Sequence, residues 1–334
     1  MTDRRAVVAV DLGGTTIKAG IVGPSGVTAT RRVASRADRG PDAVMATIVE
    51  VVGDVHDEAE QQGLTVVGAA IAVPGIIDER NGIGRYSVTF DWRDLPIGAP
   101  VAERLWCPVI VRHDVRAGAL AELSFGAATG ASSALFVPIG TGLAAAIVIE
   151  GRLVAGSSFQ AGELGQIVLE GAPGVGFAGD SPVTLEATSS ARAIGERYAR
   201  ATGQPPRTVT AQDVAVRVAE GDEVAVAVWT SAVAALGRVL ASVVDILDPA
   251  VIVIGGGLSR AGDALLGPLN ESIAALLPWR EAPSTATARF ADYSGFVGAA
   301  IYAWEEAAGL DPAALAGALT DSAWPRRWAR TSRD

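Results

Sequence analysis

Short runs of apolar residues that end in glycine or proline alternate along the chain with longer stretches of helical spacing. The opening predicts two strands around a tight Gly-Gly turn, Ala6–Leu12 and Thr15–Val22, and a third extended stretch after a Pro-Ser-Gly turn, Gly26–Val33. The spacing of Ala, Val and Ile then predicts a helix over Asp42–Gln61 and a buried strand over Val66–Val73. The amino-terminal part is therefore predicted to begin with a three-stranded meander.

The middle of the chain predicts a second group of strands and helices. A loop rich in Gly, Asp and Arg follows Gly75, and a buried strand over Pro108–His113 then ends on Asp114 and opens into helical spacing. The stretch Ser133–Val154 predicts a glycine-interrupted hairpin similar to the first meander, which suggests an internal repeat. The remaining predicted elements are helices within Leu185–Leu247 with a polar connection around Thr202–Pro206, a strand and glycine turn over Asp248–Ser259, and a helix over Ser294–Trp304.

Composition favours an α/β enzyme built from two packed lobes. The 334 residues exceed a small single-core domain, and with 49% hydrophobic but only 5% aromatic residues the core must consist of Ala, Val, Leu and Ile. No low-complexity linker separates independent domains, so we expect the lobes to share an interface with a ligand-binding cleft. We place a small amino-terminal lobe at 1–114 plus about 296–334, and a large carboxyl-terminal lobe at 115–295.

Charge and cysteine content exclude several classes of partner and site. The formal net charge of −10 argues against nucleic acid, because phosphate backbones are bound by clustered cationic side chains. One cysteine, Cys107, and two histidines, His56 and His113, leave no disulfide framework and little material for a Cys/His zinc site. The first apolar run is broken by Asp11 too early for a signal sequence, and no stretch of membrane-spanning length lacks charge or turn residues. We therefore expect a cytoplasmic protein without membrane contact.

Three glycine clusters carry residue types that suit a nucleotide. The turn Asp11–Thr16 combines glycine N–H groups, threonine hydroxyls and a carboxylate, as a metal-bound triphosphate requires, and Gly140–Gly142 repeats the glycine-threonine chemistry. For the first turn alone, a plain hairpin is an equal alternative, whereas a dinucleotide-binding loop fits less well because the turn opens into a strand. Gly255–Gly257 either lets the backbone approach a base and ribose or forms a simple strand-to-helix turn.

Six motifs, in chain order, resemble those of the ROK family (repressor, open reading frame, kinase): DLGGTTIKAG, VPGIID, RHDVRAGALAE, FVPIGTGLAAAIVIEGRL, AGELGQ and DPAVIVIGGGLS. The match runs from Val7 to about Trp304. The resemblance implies a two-lobed α/β fold of the actin-like ATPase (ribonuclease H-like) type, in which ATP and a sugar meet in the interlobe cleft. It also implies a homodimer.

The resemblance assigns roles to particular residues. Asp114 matches the catalytic aspartate, a base that accepts the proton of the sugar hydroxyl; taken alone, it is equally a helix N-cap. Glu163 and Glu186 match carboxylates that bind sugar hydroxyls. Asp11 helps to position Mg²⁺, directly or through water. The residues matched to the phosphate and adenosine turns are Asp11, Gly13, Gly14, Thr15, Thr16, Gly140, Thr141, Gly142, Gly256 and Gly257.

Three positions depart from the pattern of the family. Gln166 stands where relatives have a zinc-binding histidine, and the segment GAPGVGFAGDSPVTLEA contains no cysteine, so we expect no zinc. Thr89 stands where relatives have an asparagine that contacts the sugar, and His113 stands where they have another asparagine before the catalytic aspartate. His113 is then a hydrogen-bond partner of a sugar hydroxyl, a titratable group that reads a substituent, a support for Asp114, or simply a packed histidine. Lys18 is the only lysine, and for it we favour a solvated strand face.

The sequence thus predicts an ATP-dependent kinase that phosphorylates a hexose or amino-hexose, with the 6-hydroxyl favoured as the acceptor. One alternative is a non-catalytic, sugar-binding regulator of the same family. Regulators carry a DNA-binding helix-turn-helix before the first phosphate turn, and here that turn already begins at Asp11. A second alternative is a kinase that uses polyphosphate as the donor, for which a basic track would be the distinguishing feature.

Overall fold

The computed structural model describes residues 3–169, 183–321 and 323–324. Contacts divide the chain into two compact units. Unit 1 comprises the residues up to Phe125, the short segment Ala155–Gln160 and the residues from Tyr293 onward, and unit 2 comprises Gly126–Val154 and Ala161–Asp292. The lobe boundaries 1–114 plus 296–334 and 115–295 stay a prediction.

Unit 1 is built on a five-stranded sheet in the order β3-β2-β1-β4-β8. Its strands are β1 (Arg5–Leu12), β2 (Thr16–Gly23), β3 (Gly26–Ala34), β4 (Thr65–Val73) and β8 (Val109–His113). The first three form the predicted antiparallel meander, whereas β4 and β8 run parallel to β1. Residues 6–10 of β1 have no exposed surface, as expected for a central strand covered on both faces.

The rest of unit 1 packs on this sheet. A smaller antiparallel sheet contains β5 (Ile76–Asp78), β6 (Ile83–Ser87) and β7 (Trp92–Pro96). The helices are α1 (Pro41–Gln61), α2 (Gly98–Leu105), α3 (Asp114–Phe125), α9 (Ser294–Tyr302), which continues as a π-helical turn over Ala303–Ala307, and α10 (Ala316–Thr320). Short 3₁₀ turns lie at Ala37–Arg39, Ala291–Tyr293 and Pro312–Leu315.

Unit 2 repeats the topology of unit 1. Its sheet has the order β11-β10-β9-β12-β13, formed by β9 (Ala134–Pro138), β10 (Ala146–Ile149), β11 (Arg152–Leu153), β12 (Val251–Gly255) and β13 (Ser284–Thr287). As in unit 1, an antiparallel meander is extended by two parallel strands. The predicted internal repeat is thereby confirmed.

Helices fill most of unit 2 and bury its core. They are α4 (Leu185–Ser189), α5 (Ala191–Ala201), α6 (Ala211–Ala219), α7 (Glu223–Leu247) and α8 (Asp263–Leu276), with 3₁₀ turns at Leu164–Gln166 and Gly257–Ala261. In the described part of the chain, α7 alone is long and apolar enough to cross a membrane by length and composition, with a mean hydropathy of 1.8. The apolar residues of its buried face, among them Val228, Leu236 and Leu240, lie in the core of unit 2, whereas Ile246 is exposed.

Three stretches differ from the sequence prediction, and in one of them, between Ser259 and Ser294, helix α8 and strand β13 were not predicted. The predicted loop after Gly75 contains the sheet β5–β7 and helix α2, because strands of three to five residues with several exposed positions leave little periodicity. The predicted helical region Leu185–Leu247 is divided into four helices. Their boundaries are set by side-chain caps at Thr184, Ser190, Thr210 and Asp222.

Candidate active site

The first glycine turn connects β1 to β2 in unit 1 and is held from both sides. The Gly13 N–H donates to the Thr16 carbonyl at 2.9 Å, which closes the turn. Directly after β3, the Ser35 hydroxyl donates to the Gly14 carbonyl at 2.8 Å, and the Ser35 N–H donates to the Thr15 carbonyl at 3.0 Å. Thr15 itself is exposed. The turn is therefore a fixed loop with a threonine directed outward, as a phosphate site requires.

Lys18 lies opposite Asp11 in the β1–β2 ladder and pairs with it. The Lys18 Nζ to Asp11 Oδ2 distance is 2.8 Å, and the two side chains are only 16% and 13% exposed. The Lys18 ammonium also lies 5.5 Å from the centroid of the Tyr293 ring. The prediction that Lys18 lies on a solvated strand face is thus wrong. The register of the β1–β2 hairpin places the Lys18 ammonium against the Asp11 carboxylate instead.

Removing the Lys18 charge should destabilise the protein, because it leaves the mostly buried Asp11 carboxylate without its cation. We expect Lys18→Met to lower the free energy of unfolding by about 1–3 kcal/mol, since the pair is mostly buried. The double variant Lys18→Met/Asp11→Asn should recover part of that loss, because it removes the orphaned charge as well. Urea unfolding of the two single variants and the double variant measures the coupling; strictly additive losses would contradict the pairing.

Thr89 lies directly against the first turn. A Cβ atom placed on Gly14 would be 3.1 Å from Thr89 Cγ2. The segment that carries Thr89 is anchored by the adjacent Phe90 and Trp92, whose fully buried rings stack with centroids 4.7 Å apart. The structure therefore brings a predicted sugar contact and the first phosphate turn together within unit 1.

Asp114 begins α3 immediately after the carboxyl end of β8. Because β1, β4 and β8 are parallel, Asp11, Ala72 and Arg112 lie in register across the sheet, and the ends of all three strands share one edge. At a strand spacing of about 4.8 Å, the backbones of β1 and β8 are roughly 10 Å apart at this level. Asp114 thus emerges at the same edge as the first turn. Its Oδ1 accepts the Val115 N–H at 2.8 Å, and the side chain is 30% exposed.

The second glycine turn follows β9 in unit 2 and is held by backbone contacts. The Gly140 N–H donates to the Gly142 carbonyl at 2.9 Å, and the Ala191 N–H donates to the Gly140 carbonyl at 2.9 Å. No described heavy atom lies within 4 Å of a Cβ placed on Gly140, so this side of the turn is open. Thr141, between Gly140 and Gly142, is exposed. The turn offers a hydroxyl and an uncovered backbone, which suits a phosphate.

Gly256 packs against the residue that precedes the second glycine turn, Ile139. Its φ is +71°, and a Cβ atom there would lie 2.5 Å from the Ile139 carbonyl oxygen, so a larger residue is excluded on two grounds. The strands β9 and β12 are parallel neighbours whose last pair is Pro138 and Gly255. The two glycine clusters of unit 2 therefore meet at one sheet edge. Gly257, by contrast, has an open Cβ position.

The predicted sugar-binding glutamates lie next to this second turn. The Glu186 carboxylate accepts the Leu143 N–H at 3.0 Å, and the Arg192 guanidinium lies 3.7 Å from its other oxygen. The Glu163 segment packs on the turn as well: a Cβ atom on Gly165 would lie 2.1 Å from the Leu143 carbonyl oxygen. Glu163 is half-buried, and Gln166 is exposed. The sequence did not predict that Glu186 also supports the second turn through its hydrogen bond to the Leu143 N–H.

Removing the Glu186 carboxylate should loosen the second turn. We expect Glu186→Ala to speed hydrogen exchange of the Leu143 amide about tenfold, equivalent to about 1.4 kcal/mol of lost protection, because that N–H loses its acceptor. Glu186→Gln keeps a carbonyl oxygen and should change the rate little. The Ala250 amide, bonded to Ser133 far along the chain, serves as the internal reference. Equal exchange in the two variants would contradict this role.

No zinc ligand set is found at the family position in the described residues. Among the described residues, no group of metal-ligating side chains lies around Gln166. Residues 171–182 of the cysteine-free segment lie outside the described ranges. Among residues 3–169, 183–321 and 323–324, His56, Asp57 and Glu60 form the group of possible metal ligands within 4.8 Å. It is a surface group on α1 in which Asp57 is already paired with Arg104. The expected absence of zinc stays a prediction.

Each unit therefore gathers its own set of the predicted site residues. Unit 1 holds the first turn, Thr89, His113 and Asp114, and unit 2 holds the second turn, Gly256, Gly257, Glu163, Gln166 and Glu186. Sequence reasoning missed Glu79 and Arg116, which lie behind Asp114: Arg116 is 2% exposed and donates from Nε to Glu79 Oε1 at 3.0 Å. The available signal was an arginine two residues after Asp114 in a helix rich in alanine and leucine.

The model of the ROK family matches residues 7–306 of this sequence. The chain belongs to the ROK family. It is 32% identical over 279 residues to a glucokinase of Thermotoga maritima, a match that covers 80% of this chain and 86% of that protein. The predicted family membership is confirmed.

Solved structures of ROK proteins also share the fold of this chain. A ROK hexokinase from Thermus thermophilus is 31% identical, covers 90% of this chain and 98% of its own, and has a TM-score of 0.76. A ROK family glucokinase from Streptomyces griseus, solved with glucose and AMPPNP, is 27% identical, covers 89% of this chain and 99% of its own, and has a TM-score of 0.75. The predicted α/β fold of the actin-like ATPase type is confirmed.

Proposed function

We propose that this ROK chain transfers the γ-phosphoryl group of ATP to the 6-hydroxyl of a hexose or amino-hexose. The enzyme class, a sugar kinase, is confirmed by the glucokinase and hexokinase relatives. The observation that carries the finer proposal is the placement of Asp114 at the carboxyl edge of the sheet that also bears the first glycine turn.

Asp114 is the proposed general base. Its carboxylate accepts the proton of the sugar hydroxyl while the hydroxyl oxygen forms a bond to the γ-phosphorus and the bond to the bridging oxygen breaks, so that ADP leaves. The side chain is 30% exposed and therefore reachable, yet it is fixed at Oδ1 by the Val115 N–H. Such a group contributes mainly by orienting the acceptor oxygen toward phosphorus.

The glycine turns are the proposed phosphate-binding elements. Gly13, Gly14, Thr15 and Thr16 in unit 1 and Gly140, Thr141 and Gly142 in unit 2 offer N–H groups and hydroxyls, and Gly256 and Gly257 lie beside the adenosine. Asp11 is the carboxylate that would hold Mg²⁺, directly or through water, and the Lys18 contact favours the water-mediated mode. When bound, Mg²⁺ neutralises charge on the transferred phosphoryl group.

Four polar side chains are proposed to bind the hydroxyls of the sugar. Thr89 beside the first turn, and Glu163, Gln166 and Glu186 beside the second, are candidates for its hydroxyls. Carboxylates suit this role because they accept several hydrogen bonds in fixed directions. We further propose that the enzyme works in the cytoplasm as a homodimer, without nucleic acid or membrane partners.

A coupled ADP-release screen tests this proposal. The panel consists of glucose, mannose, fructose, allose, their N-acetyl forms and free amino sugars, each with ATP and, separately, with polyphosphate. Because polyphosphate releases no ADP, that arm is followed by the appearance of the sugar phosphate in ³¹P NMR spectra. Turnover of at least one hexose with ATP, with the product phosphorylated at oxygen 6 by NMR, is the expected result. Sugar binding without turnover across the whole panel would point instead to a non-catalytic, sugar-binding protein.

A further inference from the structure

The side chain of His113 is packed against the proposed base. His113 ends β8 and is 5% exposed, and its Nε2 lies 3.4 Å from Asp114 Oδ1. This separation is longer than the roughly 2.7–3.2 Å of a formed hydrogen bond, but catalytic hydrogen bonds are often long before substrate binds. A side chain so thoroughly covered is better placed to contact Asp114 than to contact a sugar.

The electrostatic surroundings fix which nitrogen carries hydrogen. Burial, together with the nearby Arg116 guanidinium, lowers the pKa of His113 to about 3, so the imidazole is neutral at physiological pH. A neutral imidazole has one N–H, and a carboxylate oxygen can only accept, so the contact with Asp114 is favourable only when Nε2 carries the hydrogen. Nδ1 is then a bare acceptor that is buried and has no hydrogen-bond partner among the described residues. Packing alone does not account for such a group.

The main chain of His113 is held in place by a buried ion pair. Glu79 Oε1 accepts the His113 N–H at 2.9 Å and the Arg116 Nε–H at 3.0 Å. Arg112, the preceding residue, donates to the Glu79 carbonyl at 2.9 Å, and Arg116 reaches the Phe159 carbonyl at 3.4 Å. The backbone of His113 is thus held relative to α3, and burial of the side chain limits the space in which the ring can turn away from Asp114.

We infer that His113 is a positioning residue whose Nε2–H donates to Asp114 and holds that carboxylate in the orientation that accepts the sugar proton. The inference rests on the proposed function. It replaces the sugar contact predicted for position 113 and selects one of the four roles that the sequence left open. Donation to the carboxylate also favours its ionised, basic form.

Two variants of equal length separate donation from packing. His113→Met and His113→Gln are both unbranched, but only glutamine offers an N–H at a comparable reach. With the best sugar of the screen, we expect His113→Met to lower kcat about 30-fold while KM changes less than about threefold, and His113→Gln to keep kcat at least about tenfold above that of His113→Met. The acid limb of kcat/KM against pH should move upward for His113→Met only, since a lost donor disfavours the ionised carboxylate.

A measurement on the wild-type protein gives an independent test. The ¹⁵N chemical shifts of the His113 imidazole should report the neutral tautomer with hydrogen on Nε2, and hydrogen on Nδ1 would overturn the inference even if neither variant folds. Equal kcat values for His113→Met and His113→Gln would overturn it as well. The matched control is His56→Met, at the chain's other histidine on α1, which should leave kcat unchanged. An inactive wild-type protein would overturn the proposed function, whereas an active wild type equalled by His113→Met overturns this inference alone.

Discussion

Asparagine in place of Asp114 is expected to lower kcat for sugar phosphorylation roughly thousandfold, while the Kd of the sugar changes by less than about threefold. The amide has nearly the same size and can still accept the Val115 N–H, which the carboxylate takes at 2.8 Å. It cannot accept a proton near neutral pH, so only the chemical step should suffer. Coupled ADP release gives kcat, and calorimetry with the sugar alone gives Kd.

The control for this variant is an exposed aspartate of the same unit that has no predicted role in the site. Asp94 on β7 is paired with Arg85 and has a side chain that is 70% exposed, so Asp94→Asn should leave both kcat and Kd near their original values. A rate for Asp114→Asn within a few-fold of the wild type would mean that another group accepts the proton. A large rise in Kd together with a small change in kcat would make Asp114 a binding residue only.

Valine at Gly298 should destabilise unit 1 by about 3 kcal/mol or more. Gly298 lies in α9 where this helix crosses α3, and a Cβ atom there would be 1.8 Å from the Ala117 carbonyl oxygen. The clashing atom belongs to the backbone of α3 and cannot move aside as the end of a flexible side chain could. A side chain at position 298 therefore forces α3 and α9 apart. At about 2–4 °C per kcal/mol, the first thermal transition should fall by roughly 6–12 °C, as measured by differential scanning calorimetry.

Gly317→Ala is the matched control for this close packing. Gly317 is also helical, in α10, but it is exposed and no described heavy atom lies within 4 Å of its Cβ position. Alanine is there expected to be neutral or stabilising by up to about 1 kcal/mol through helix propensity. If Gly298→Val melts at the same temperature as Gly317→Ala, α3 and α9 are not in the contact described. Since α3 begins with Asp114, Gly298→Val should also impair activity before it unfolds the unit.

Much of the sheet architecture could be predicted because its strands are buried on both faces. Such strands appear in a sequence as apolar runs that end at or just before glycine turns, as in Ala6–Val10 and in the run before Gly255. The same runs place Asp11, Asp114 and the two glycine turns at strand ends. Residues at the carboxyl ends of parallel strands then meet at one edge without further information. The placement of Asp11, Asp114 and the two glycine turns at strand ends could be predicted for this reason, whereas the roles of Asp114, Glu163 and Glu186 came from the family resemblance.

The contacts that support those residues could not be predicted in the same way. Glu79 and Arg116 are 37 positions apart, and Glu186 reaches the Leu143 amide across 43 positions, so only the folded chain brings each pair together. The sheet β5–β7 was missed because its strands are short and half exposed. Lys18 is the instructive exception: its pairing with Asp11 follows from the hairpin register, once the turn between them is known to close at Gly13 and Thr16.

A chain with one lysine carries its own spectroscopic reporter. Reductive methylation with ¹³C-formaldehyde would leave a single side-chain signal besides that of the amino terminus, and this signal would come from the nitrogen that pairs with Asp11. Its chemical shift follows the charge around it, so titration with nucleotide or metal salts can be read at one atom. The enzyme would need neither engineered cysteine nor fluorophore for such a measurement.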